Sequence, residues 1–180
     1  VMPVITGRIS SQMKSAFSYM NKLKMIGFRD DLTVYGEGYH IQSLFDYNQG
    51  VEEIEGKLPA ISAGYDTTIA NIGYVFRDCN KLRTISEDFF ANLPTQPSGT
   101  FTSLGLGSAM FQRCASLRKL PNIKNLNRIV QVTYNSMCDS CYALDEVRDI
   151  GVYTYSAMTS NRFASAFSSC YRLKAVTFET

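Results

Sequence analysis

Tryptophan is absent from the 180 residues, and histidine occurs once, at His40. A single histidine confines any Ser-His-Asp or Cys-His machinery to that position. His40 stands between Tyr39 and Ile41 with no nucleophile motif nearby, so it reads as a loop or capping residue. No apolar run approaches the roughly 18 to 20 residues that span a bilayer, and membrane insertion is not expected. No secretion signal or lipid-attachment motif is visible at the start, although the first residue is Val1 and the chain reads as processed or cut from something longer. An excess of one charge is missing too. The net charge is +2, and the Lys and Arg residues are scattered rather than gathered. Binding to nucleic acid needs a basic patch, so no such partner is expected.

Motifs for cofactors are also lacking. Gly105-Leu106-Gly107 begins like a dinucleotide loop but has neither the third glycine nor the later acidic partner. Asp30-Asp31 and Glu52-Glu53 lack calcium-loop spacing. Cys138-Asp139-Ser140-Cys141 is a CxxC, but zinc would need two more ligands and thioredoxin chemistry a βαβ setting. Nothing places two carboxylates across a cleft for sugar hydrolysis. The chain therefore reads as non-enzymatic, with no cofactor and no metal.

What the sequence does contain is one pattern, six times over. Copy one is Met13, Ala16, Phe17, Met20, Leu23, Ile26; copy two is Ile41, Leu44, Phe45, Asn48, Val51, Ile54. Copy three is Ile72, Val75, Phe76, Cys79, Leu82, Ile85; copy four is Gly107, Met110, Phe111, Cys114, Leu117, Leu120. Copy five is Tyr134, Met137, Cys138, Cys141, Leu144, Val147; copy six is Phe163, Ala166, Phe167, Cys170, Leu173, Val176. The copies centre on Phe17, Phe45, Phe76, Phe111, Cys138 and Phe167, at steps of 28, 31, 35, 27 and 29 residues. A near-constant step in this range is the signature of stacked repeats. The apolar positions i, i+3, i+4 and i+7 of each first half predict a helix of about two turns. The Leu-x-x-apolar half that follows predicts a turn into a short strand. One such unit cannot bury its own apolar face, whereas a stack makes a continuous core. Phe76→Ala and Phe167→Ala are each expected to cost about 3 to 5 kcal/mol, as core aromatics do.

Met110-Phe111-x-x-Cys114-x-x-Leu117-x-x-Leu120 resembles the BspA-like class of leucine-rich repeats, over nearly the whole chain. The resemblance implies an α/β solenoid of six leucine-rich repeats of 27 to 35 residues, each a short helix plus a short parallel strand. Its expected hand is right, by the crossover rule and the resemblance. It also implies adhesion or recognition without catalysis, as in bacterial surface proteins and some bacteriophage and protist proteins. Copy two departs from the pattern with Asn48 and Val51, and copy five with Cys138 in the Phe column.

The size suits one domain, a single solenoid over 1–180 that opens on a half-copy, 1–7. The half-copy and the last strand leave both ends without polar caps, so the ends are expected to be covered by more polypeptide, another copy or a different protein. The five cysteines fall on two core columns, which predicts buried free thiols and fits assembly in a reducing compartment. Leu32 to Tyr35, Ile129 to Tyr134 and Val152 to Tyr155 look like second strands, and Ser86 to Leu106, with Pro94, Pro97 and Gly99, like a surface loop. A charge follows the Leu column in every copy: Lys24, Glu52, Arg83, Arg118, Asp145, Lys174. Stacked parallel strands would bring these side chains within reach as a ladder.

Among eleven tyrosines, Tyr35, Tyr39, Tyr65, Tyr153 and Tyr155 lie off the core columns. Tyrosine gives large contact area at low entropy cost, so these five are the candidate binding residues, with packing in the second strands as the alternative. The expected function is a structural and recognition module. Its expected setting is a bacteriophage virion, as a tail or capsid accessory protein in a homo- or hetero-oligomer that contacts other subunits or a host-surface protein or glycan. The alternative is a fragment of a bacterial cell-surface adhesin.

Overall fold

The structure is a computed structural model that describes residues 4–5, 8–61, 69–93, 108–124, 133–150 and 163–178. Short parallel strands follow the Leu-x-x-apolar halves. They are β1 (Val4–Ile5), β3 (Met25–Phe28), β5 (Glu53–Glu55), β8 (Thr84–Ile85), β9 (Glu146–Ile150) and β10 (Ala175–Phe178). One sheet has the order β1-β3-β5-β8, with Ile26 opposite Ile54 and Ile54 opposite Ile85. A separate pair joins β9 to β10, with Val147 opposite Val176. Copy four contributes only a bridge, Lys119 to Glu146. Alternation decides which side chains go in: Ile54 is buried between half-buried Glu53 and exposed Glu55.

A second sheet holds β2 (Arg8–Gln12), β4 (Thr33–His40) and β6 (Ala60–Ile61), and β7 (Ile69–Asn71) pairs with β4. The Leu32 to Tyr35 link enters β4. The Val152 to Tyr155 link, and Ile129 to Tyr134 up to residue 132, lie outside the described residues.

The expected helices are not there. Among the described residues there is no helix, only short strands in small parallel sheets and no closed solenoid wall, so the α/β solenoid of helix-plus-strand leucine-rich repeats is overturned. The first half of each copy is instead a run of tight turns, and the hydrogen bonds explain why. In copy two, Leu44, Asp46 and Asn48 N–H donate three residues back, to Ile41, Ser43 and Phe45. The alternate N–H groups, of Ser43, Phe45 and Tyr47, donate to Gly73, Val75 and Arg77 of copy three. An α-helix would send every donor four residues back along its own chain. Here half of them join neighbouring copies. The two residues flanking each Phe-column position at ±2 are left-handed, for example Ser43 (φ 57°) and Tyr47 (φ 58°). Apolar spacing of i, i+3, i+4, i+7 fits these turns as well as a helix, and a two-turn helix has little stability of its own.

The Phe column forms a stack of rings. Centroids are 5.5 Å apart from Phe17 to Phe45, 5.5 Å from Phe45 to Phe76 and 5.3 Å from Phe76 to Phe111. Copy five has Cys138 there, and ring stacking moves four residues earlier, to Tyr134 and Phe163 at 5.1 Å. Phe89 and Phe90 are fully buried beside this column. Phe89, Phe90 and Leu93 of the Ser86 to Leu106 link are therefore core rather than surface loop, between exposed Glu87, Asp88 and Ala91. Residues 94–107 lie outside the described residues.

The cysteine column acts as a set of caps. The Sγ of Cys79, Cys114, Cys141 and Cys170 lies 3.0 to 3.1 Å from the carbonyl oxygen of the preceding Phe-column residue: Phe45, Phe76, Phe111 and Cys138. All five thiols are free; four are buried and Cys170 is half-buried. Asn48 takes the same role in copy two, donating Nδ2 to the carbonyl of Phe17. Its Oδ1, however, is buried without a partner. An unsatisfied buried acceptor costs roughly 1 to 3 kcal/mol. Asn48→Cys keeps a donor and removes that acceptor, so it is expected to raise stability by about 1 kcal/mol in urea unfolding. A loss of that size would contradict the capping role.

The charge ladder closes at two steps, Arg83 to Glu52 at 3.7 Å and Lys174 to Asp145 at 3.9 Å. Both basic partners are exposed, so each pair is worth a few tenths of a kcal/mol at about the usual surface value.

Candidate recognition surface

Adjacent copies bring the side chains at Phe+1 and Phe+2 of their turn runs side by side. Tyr19 and Tyr47 occupy Phe+2 in copies one and two and stack at 5.1 Å with ring planes 2° apart. The Arg77 guanidinium lies 5.1 Å from the Tyr47 ring centre and 4.5 Å from that of Tyr74. It also grips Asp46 with two hydrogen bonds, 2.9 and 2.5 Å. Asp46 is only 5 % exposed, and this fork is what allows a carboxylate to sit there. The bond to Asp46 raises the Arg77 pKa above its ordinary value. Arg113 grips Asp78 in the same way one copy further on, and the Asp78 bond raises its pKa as well. The ridge is thus a pre-organised line of aromatic and charged groups.

A second aromatic platform lies in copies five and six. Tyr142 and Tyr171 both occupy Phe+4 and stack at 5.6 Å with planes 8° apart. They are 47 % and 80 % exposed, which leaves one broad face of Tyr171 open. Beside them Arg172 pairs with Asp145 at 3.1 Å.

Of the five tyrosines expected to bind, Tyr35 lies in β4 and is 42 % exposed. Tyr39 lies in the same strand, opposite Ile69 of β7. Tyr65, Tyr153 and Tyr155 lie outside the described residues. Tyr19, Tyr47, Tyr142 and Tyr171 were missed. A signal for them exists, because each pair repeats one column position in successive copies. His40 is half-buried, with Nε2 3.5 Å from Gln42 Oε1, and burial lowers its pKa below the ordinary value. Among the described residues no three His, Cys, Asp or Glu side chains converge as a metal site. A cavity of about 180 Å³ is lined by Glu87, Lys119, Lys124, Glu146, Arg148 and Asp149. These six are matched as ion pairs, Lys119 to Glu87, Lys124 to Asp149 and Arg148 to Glu146.

No protein-family model matches the chain, and searches of curated proteins and of solved structures find no match either.

Proposed function

We propose that the chain is a non-enzymatic structural and recognition module, a bacteriophage virion component of the tail or capsid-accessory kind that contacts other subunits or the host surface. The observation that carries this reading is the pair of stacked tyrosine platforms, Tyr19–Tyr47 and Tyr142–Tyr171, in which Tyr19, Tyr142 and Tyr171 are exposed and Tyr47 is half-buried. Exposed tyrosines already held by a neighbouring ring lose little entropy on contact and keep a hydroxyl for hydrogen bonding. The resemblance of the copies to BspA-like repeats supports recognition as the task. The free thiols support assembly in a reducing compartment. In this reading the partners are protein subunits, with a host protein or glycan as the further target, and neither nucleic acid nor membrane is engaged.

A second reading, a fragment of a bacterial cell-surface adhesin, draws on the open face of Tyr171, which would suit a protein or glycan ligand equally well. Intact native mass without reductant separates the two. Burial pushes the Cys170 thiol up to about 11 and raises Cys79, Cys114 and Cys138 well above the ordinary thiol value, so these four are expected to be inert at neutral pH. An assembled species larger than one 20.2 kDa chain, with five unmodified thiols, is the result expected for a virion component. A monomer with oxidised cysteines would point to the adhesin instead.

A further inference from the structure

The Tyr142–Tyr171 column has a gap in it, inside the stack of copies. The position four residues after the Phe column holds Asn80, Ala115, Tyr142 and Tyr171 in copies three to six. Tyr142 and Tyr171 stack at 5.6 Å, so each copy in this column has room for one ring. Copy four offers only the methyl group of Ala115, and Asn80 stands in copy three beyond it. Hydrogen bonds between copies fix this order: Ala143 N–H donates to the Ala115 carbonyl, and Ser116 Oγ to the Asn80 carbonyl. Tyr171 covers one face of Tyr142, yet Tyr142 is 47 % exposed, and its other face lies on the side of Ala115. The gap is thus one copy wide, with an aromatic wall, a small floor and the exposed Asn80 amide opposite.

A cation stands beside this gap. In copy six Arg172, next to Tyr171, reaches back to Asp145 of copy five at 3.1 Å. One copy earlier the equivalents of Arg172 and Asp145 are Ala143 and Arg118. The same offset places exposed Arg118 beside Tyr142, with no side chain reaching across to it. The acids of its column are engaged elsewhere, Asp145 with Arg172 and Lys174, and Glu52 with Arg83. Among the described residues Arg118 has no ion pair. Exposed Lys81 and Arg83 of copy three add to the positive charge of this strip.

We propose that the gap binds an acidic sugar, a pyranose ring bearing a carboxylate, as part of a surface glycan. The C–H face of the ring lies on Tyr142. The carboxylate accepts two hydrogen bonds from the Arg118 guanidinium, and the ring hydroxyls meet the Asn80 amide. An aromatic side chain of a protein partner fits less well, because it would cover that amide without supplying a hydrogen bond. The proposal rests on the recognition reading above and names a ligand for it.

The test is a titration of the whole chain with methyl β-D-glucuronide, followed by NMR of the tyrosine rings, with methyl β-D-glucoside as the uncharged probe. The glucuronide is expected to bind with a dissociation constant on the order of 1 mM, the range of one small ring. Removing the charge from either side, by the glucoside or by Arg118→Gln, is expected to weaken binding about tenfold. Ala115→Tyr carries the ring stack into the gap while leaving Arg118 in place, and is expected to abolish binding without loss of stability in urea. The exposed Arg118→Gln site keeps the test open if Ala115→Tyr fails to fold. No saturation by about 50 mM glucuronide overturns the proposal. So does equal binding of the two sugars, unchanged binding in a folded Ala115→Tyr chain, or tighter binding of an acidic, tyrosine-containing dipeptide. None of these results touches the wider subunit reading, which fails separately if Tyr19→Ala and Tyr171→Ala leave every assembled mass unchanged.

Discussion

Phe76→Ala is expected to lower stability by about 3 to 5 kcal/mol, the cost of emptying a large aromatic site in a packed core. The ring is fully buried, stacked 5.5 Å from Phe45 and 5.3 Å from Phe111, with Phe89 tilted against it at 5.4 Å. Its neighbours are held from two directions, by the ring column and by the Ser86 to Leu93 segment, so the site has little freedom to collapse. Phe167→Ala separates this account from the sequence pattern, which makes the two positions equivalent. Phe167 is half-buried, and its loss is expected to cost about 1 to 2 kcal/mol, in proportion to the apolar area it covers. Urea unfolding of both variants checks the difference. A cost under 1 kcal/mol for Phe76→Ala would mean that the columns are misplaced.

Gly56→Ala is the other large effect. Gly56 follows β5 with φ at +84°, and a Cβ there would lie 2.1 Å from the carbonyl oxygen of Phe28 and 3.0 Å from its carbon. The obstacle is backbone, so no rotamer relieves it. Left-handed strain and overpacking together are expected to cost about 2 to 4 kcal/mol. Gly50→Ala meets the Asn21 carbonyl oxygen at 2.0 Å without a positive φ, and is expected to cost less, about 1 to 3 kcal/mol. Thermal unfolding of the two variants gives the order. A Gly56→Ala chain within 0.5 kcal/mol of the parent, the usual range for surface changes at about 25 °C, would contradict the close approach of β5 to β3.

Particular residues show how far the sequence could be read. The columns were legible: Phe45, Phe76, Leu82, Phe111 and Leu144 repeat at near-constant steps, and all are fully buried. The parallel register of Ile26, Ile54 and Ile85 follows from the same steps. The helix expected over each first half does not follow from the columns, because apolar spacing reports a shared face and not the route of the backbone. A clue lay in the positions between. Ser15, Ser43, Ser136 and Ser165 at Phe−2, and Asp78, Ser140 and Ser169 at Phe+2, are residue types that favour turns over helix interiors. The cysteine column is legible as core for Cys79, Cys114 and Cys141, with Cys170 half-buried, but its partner carbonyls are not, since they come from the previous copy. The candidate tyrosines of the sequence lie off the core columns, whereas the stacked pairs Tyr19–Tyr47 and Tyr142–Tyr171 arise where one column position repeats in neighbouring copies. The expectation of a helix-plus-strand solenoid failed for the same reason as the helices: alternate N–H groups go to the next copy.

The central claim is that left-handed turns, joined by hydrogen bonds between copies, build the first half of each copy. Comparing Gly with Ala at Ser43 and Ser136 tests it most directly. Both residues have positive φ, 57° and 51°, and both donate their N–H to the next copy, to Gly73 and Ala164. In a left-handed turn the L-alanine chain bears a strain of roughly 1 to 2 kcal/mol that glycine escapes. Glycine is therefore expected to be the more stable of the two by about 1 kcal/mol at each site, after its larger unfolded-state entropy is allowed for. A helix would reverse the order, with alanine more stable by about 1 kcal/mol. Glycine above alanine at both positions is the result predicted here, and alanine above glycine would contradict it.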